Sequence, residues 1–201
     1  MGRRRSRFTL AIATVLALGA TSIAYAASHH HANRADHHMG NNQMGNQGEV
    51  FTAQLNGFNE VPANNSPATG ELTLMVGNGQ LTWSLTYQDF PADQQPQVAH
   101  VHVGQPGVSG GVSFFFCGGG GKPACPSTVN GPVTITGTTL PADVVGPTAQ
   151  LFTAGDLNSV IKAMEAGLTY ANMHTPRLGA GEIRGQLMRG HGDDDNQGGG
   201  H

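Results

Sequence analysis

The stretch Val98-Ala99-His100-Val101-His102-Val103 sets two histidines inside an apolar strand pattern. Successive side chains of a strand point to opposite faces, so His100 and His102 share one face and Ala99, Val101 and Val103 the other. Two strand rises put the imidazoles roughly 6.5–7 Å apart at their roots, near enough for both tips to converge on one ion. His174, in Tyr170-Ala171-Asn172-Met173-His174-Thr175, lies in a second strand-like run. Three neutral imidazoles with one position open form a donor set for zinc or copper, and Glu60 or Glu182 would serve as a fourth ligand or stand behind the ligands. A competing account needs no metal. Buried histidines can bond backbone carbonyls or carboxylates, and Glu60, Asn172, Glu182 and Arg184 supply partners for such a polar network. Glu182 and Arg184, two residues apart, would then share a face and pair with each other, with Glu60 or with a histidine.

A second group of histidines precedes the first strand. His29, His30, His31, His37 and His38 lie in residues 27–48, which carry little apolar bulk beyond Met39 and Met44. This composition cannot offset chain entropy, and histidine-rich tracts of this kind bind metals. If the mature chain begins at Ala27, His29 is its third residue. The α-amine, two backbone amides and that imidazole then offer four nitrogens in a plane, the geometry of Cu(II) or Ni(II). At the other end, Asp193, Asp194 and Asp195 with His191 and His201 form an acidic tail over residues 190–201. A solvated tail is the expected reading, weak hold on a hard cation the alternative.

What surrounds these groups sets the compartment. Arg3, Arg4, Arg5 and Arg7, an apolar run from Phe8 to Ala20, and Ala24-Tyr25-Ala26 read as a signal peptide over residues 1–26. The chain is therefore expected to be exported, periplasmic or extracellular, with no membrane anchor after cleavage. The arginines leave both the general secretory and the twin-arginine routes open. Cleavage removes four arginines and leaves six Lys+Arg against 13 Asp+Glu, a net charge near −7. No basic stripe remains for nucleic acid. Cys117 and Cys125 flank a glycine-rich segment and read, in an exported chain, as a disulfide closing a short loop; a two-thiolate metal site is the weaker alternative. Nothing in the sequence stands out as a serine–histidine–acid or cysteine–histidine arrangement for nucleophilic catalysis.

The elements that must position the core histidines are short. Phe51 to Leu55, Glu71 to Val76, Gln80 to Tyr87, Val98 to Gly104, Val112 to Phe116, Pro132 to Gly137, Leu168 to His174 and Glu182 to Met188 read as strands, with Gly77-Asn78-Gly79 as a hairpin turn. Leu81, Trp83, Leu85 and Tyr87 share a core face, while Thr82, Ser84 and Thr86 face outward. One helix is expected near residues 156–166, capped by Thr153 or Gly155, with Leu157, Val160, Ile161 and Met164 on its buried side and Gly167 ending it. This pattern predicts an all-β fold over residues 49–189, an antiparallel β-sandwich or barrel of immunoglobulin-like or copper–zinc dismutase-like kind.

Five motifs in order carry a resemblance: Leu55-Asn56-Gly57-Phe58-Asn59-Glu60-Val61-Pro62, Ala68-Thr69-Gly70, Ala99-His100-Val101-His102, Tyr170 to Thr175, and Gly181-Glu182-Ile183-Arg184-Gly185-Gln186-Leu187. Together they resemble the CHRD domain, named from chordin and also found in exported bacterial proteins. The resemblance implies a β-rich extracellular module with no defined reaction. The chain departs from the family at Phe114 to Pro126, where a cysteine-closed glycine loop stands in place of a shorter turn. The His-x-His strand also resembles, more faintly, the copper strand of copper–zinc superoxide dismutases, although that enzyme uses more histidines and an aspartate. The expected function is a non-enzymatic binding module with affinity for copper, zinc or nickel. A dismutase-like copper enzyme and an adhesion module binding an extracellular protein or glycan are the alternatives.

Overall fold

The computed structural model describes residues 48–190. The signal-like residues 1–26, His29, His30, His31, His37, His38, and the acidic tail with His191 and His201 lie outside the described residues.

Nine antiparallel strands and one α-helix form the domain: β1 (Val50–Asn56), β2 (Thr69–Gly77), β3 (Gln80–Gln88), β4 (Val98–Val103), β5 (Gly111–Cys117), β6 (Val133–Thr139), α1 (Leu157–Glu165), β7 (Thr169–His174), β8 (Ile183–Gln186) and β9 (Met188–Arg189). They build one sheet in the order β5-β4-β7-β8-β1-β2-β3-β6, with β9 on β1. The sheet curls on itself, so that Trp83 of β3 meets Phe116 of β5 edge-on at 4.8 Å across the interior. The expected all-β class is thereby met, as a barrel-like sheet.

Alternation explains the core. Phe51, Ala53 and Leu55 of β1, Leu72, Leu74 and Val76 of β2, and Leu81, Trp83, Leu85 and Tyr87 of β3 all point inward and are buried. The β2–β3 hairpin closes through Asn78 and Gly79, both at positive φ, as a two-residue turn of the twist-compatible kind requires. In β6, Gly137 lies opposite Trp83. A Cβ there would come within 2.5 Å of the indole, so the missing side chain is what lets the ring lie over the strand. The disulfide Cys117–Cys125 forms as expected at the end of β5.

Leu157, Val160, Ile161 and Met164 of α1 are buried against the core. The cap differs from expectation. Asp156 itself is the N-cap, its carboxylate accepting from Ser159 N at 3.0 Å and Ser159 Oγ at 2.6 Å. Thr153 and Gly155 only shape the approach, because a carboxylate one residue before the helix reaches the free amides directly. Asp156→Ala should therefore lower stability by about 1 kcal/mol, read as a shift of the urea midpoint at unchanged m-value.

Candidate metal centre

The register of four strands places the chemistry on the outer face of the sheet. Across β4 and β7, His100 lies opposite Asn172, His102 opposite Tyr170 and Val98 opposite His174. Across β7 and β8, Asn172 lies opposite Arg184 and Tyr170 opposite Gln186. On the β5 side, Phe115 lies opposite His100 and Val112 opposite His102. Directly opposed residues share a face, so one row reads Phe115, His100, Asn172, Arg184. The reverse face of the same strands carries Ala99, Val101, Ala171, Met173 and Ile183 into the core.

His100, His102 and His174 come together on this face, each offering a ring nitrogen within 4.8 Å of the others. The rings of His100 and His102 stand edge-on with centroids 4.4 Å apart, and those of His100 and His174 are 4.7 Å apart. Tetrahedral binding at 2.0–2.1 Å needs nitrogens roughly 3.3 Å apart, so the rings would close on an ion from within that 4.8 Å bound. Among the described residues the convergent group is made of three histidines alone, so neither Glu60 nor Glu182 joins it.

The face is solvent-side in topology but buried in fact: His100 and His102 are 5% and 9% exposed. The loops after β4 and after β7 fold over it, and each supplies a carbonyl. His102 Nδ1 lies 2.8 Å from Gly110 O, and His174 Nδ1 lies 2.9 Å from Gly179 O. A carbonyl only accepts, so in both rings Nδ1 carries the proton and Nε2 is a bare lone pair. Those two Nε2 atoms, together with His100 Nδ1, are buried and have no hydrogen-bond partner. Burial and the neighbouring imidazoles push His100 down to about 3, and burial pushes His102 down to about 4 and lowers His174. All three rings are therefore neutral at physiological pH. Neutral imidazoles whose second nitrogen bonds a carbonyl are what nitrogen-ligated metals require.

The remaining polar residues form the wall behind the rings. Tyr170 stacks flat on His102, centroids 4.6 Å apart and 6° from parallel. Arg184 covers the other face of Tyr170, its guanidinium carbon 3.4 Å from the ring centre. Arg184 Nη2 donates to Gln105 O and Val108 O at 3.1 and 3.0 Å, pinning the loop after β4. Gly110 N donates to Tyr170 Oη at 3.0 Å in the same loop. Asn172 Nδ2 donates to Glu60 Oε1. Glu182 accepts from Ser66 Oγ at 2.6 Å and from Thr175 Oγ1. Glu182 and Arg184 thus do not pair with each other: Glu182 precedes β8 and turns to the hydroxyls, while Arg184 turns to carbonyls and an aromatic face. Sequence reasoning missed Tyr170, Gly110 and Gly179. The signal for Tyr170 was its place two residues from Asn172 on the histidine face. The carbonyl partners had none, since any residue type carries a carbonyl.

The CHRD domain model matches residues 51–187. No curated protein and no solved structure matches the chain. The match takes in all three core histidines and every residue of the wall behind them, and by it the chain belongs to the CHRD domain family.

Proposed function

We propose that this CHRD domain is an exported binding module whose ligand on this face is a divalent transition metal, held by His100, His102 and His174. The observation that carries the reading is three histidines that each offer a ring nitrogen within 4.8 Å of the others, in rings that each keep one buried nitrogen without a partner. Each unpartnered buried polar atom costs roughly 1–3 kcal/mol, and a fold has little reason to place three of them together unless something completes them. A nitrogen-only donor set suits Zn(II) and Cu(II), and bound there the ion would act as a Lewis acid with one position open. Export is supported by the signal-like N-terminus and by the disulfide. The five tail histidines would add further sites, with copper or nickel preferred at a free Ala27 terminus.

Titration calorimetry with Zn(II) and Cu(II) separates the two kinds of site. The chain from Ala27 should bind more than one equivalent. The same chain with His29, His30, His31, His37 and His38 all changed to alanine should keep one tight equivalent. A flat isotherm for that tail-substituted protein would make the core histidines structural.

A further inference from the structure

Resting on the metal reading, one member of the triad stands apart. His102 and His174 are each oriented by a hydrogen bond to a loop carbonyl, whereas His100 has no such bond and its Nδ1 is unpartnered. What lies against His100 on the β5 side is Phe115, edge-on with centroids 5.3 Å apart. Its neighbours Phe114 and Phe116 point into the core, so Phe115 alone of the three reaches the histidine face.

Phe115 is itself held from beyond. A Cβ on Gly119 or on Gly120 would come within 2.5 Å of the Phe115 ring, so the backbone of both glycines rests directly on it. Gly118, at φ +74°, is equally tight against the chain entering β4, where a Cβ would meet Gln97 O at 1.8 Å. This loop is fixed at several points. The Cys117–Cys125 disulfide closes it, Gly118 N donates to Pro123 O at 2.7 Å, and Lys122 N donates to Gly119 O at 2.9 Å. Lys122 Nζ anchors it to Asp143 at 2.9 Å. A surface turn needs none of this. A brace that must hold one ring against another does, and glycine is the residue that lets backbone lie flat on a ring.

We infer that the disulfide-closed loop 117–125 acts through Phe115 as the brace that fixes the His100 ring for metal binding, replacing the carbonyl bond that orients the other two histidines. Phe115 is on this account a positioning residue. It touches a ligand and not the ion.

The test uses the tail-substituted protein, with Zn(II) for affinity and release and Co(II) as a coloured probe of ligand geometry. Phe115→Ala should weaken Zn(II) binding by 10–100-fold, the usual effect of losing a group that orients a ligand, and should change the visible Co(II) spectrum. Phe115→Tyr, which keeps the ring, should restore both. Cys117→Ser/Cys125→Ser should speed Zn(II) loss to a chelator at least tenfold, with the near-ultraviolet dichroism of Trp83 confirming an intact core. If the cysteine variant does not fold, the Phe115 pair carries the test. Parent-like affinity and Co(II) spectrum in Phe115→Ala would overturn the brace and leave the metal reading standing. A tail-substituted parent that binds no metal would overturn both.

Discussion

His100→Phe in the tail-substituted protein should abolish tight Zn(II) binding while leaving the metal-free protein as stable as before, or more so. Structural zinc sites are worth about 10–16 kcal/mol, or roughly 3 kcal/mol for each of four ligands, so losing one imidazole should cost at least about 100-fold in affinity. The stability half follows from the hydrogen-bond census. His100 contributes a buried nitrogen with no partner, and the aromatic rings of His102 and Phe115 already surround it edge-on. A phenyl ring fills nearly the same space without the orphaned atom, and removing an unsatisfied buried polar group is neutral or stabilising. A purely structural histidine predicts the reverse, because its replacement would break a bond that holds the fold. Urea denaturation of the metal-free proteins, beside calorimetry of both, decides. Loss of stability without loss of metal would sink the reading. His102→Phe serves as the contrast: it also gives up the bond to Gly110 O and should cost about 1 kcal/mol in the metal-free state.

How much of this was legible in the sequence depends on which physical link is asked. Periodicity is a local property, and it placed nearly every strand, the Gly77–Gly79 hairpin and the buried stripe of α1. It also put His100 and His102 on one face, opposite Ala99 and Val101. Residue type alone suggests the meeting with His174, and the β4–β7 pairing realises it, a contact more than 70 residues apart that no local pattern encodes. The burial of that face was not legible. Alternation says only that the histidines point away from the core. Two loops, carried by glycines that permit close approach, are what cover them. Gly110 illustrates the point: a Cβ there would meet Val103 O at 1.7 Å, so only glycine brings its carbonyl to His102. The partner choices of Glu182 and Arg184 were likewise beyond reach. Each depends on loops, at Ser66 and at Gln105 to Val108, whose path is set by tertiary packing.

Glu60 should give the domain a stability that falls as pH rises from about 4.5 to about 7, and Glu60→Gln should remove that fall. Burial pushes its carboxyl up to about 7, against the opposing pull of the Val61 amide, Arg184 and Asn172. The unfolded chain releases that proton near 4.5. Between the two values the native state holds a proton that the unfolded state has lost, so stability declines with increasing pH and the loss is complete above pH 7. The shift amounts to about 2 kcal/mol once solvent screening of the carboxylate is discounted. The histidines work in the opposite sense. Their folded values are lowered, so the native state binds fewer protons than the unfolded state below about 6.5, and their contribution rises with pH across that lower range. Both proteins carry the same histidines, so the difference between them isolates Glu60. Gln keeps an oxygen for the Asn172 amide but cannot ionise, and it fits the space that Gly181 leaves by having no Cβ. Stabilities measured by urea in metal-free buffer should agree at pH 4.5 and differ by about 2 kcal/mol in favour of Glu60→Gln at pH 8. Parallel curves would mean that Glu60 is ionised throughout and that Arg184, at the centre of the same wall, offsets its burial in full. The carboxyl would then belong to the charge balance of the histidine face rather than standing neutral behind it.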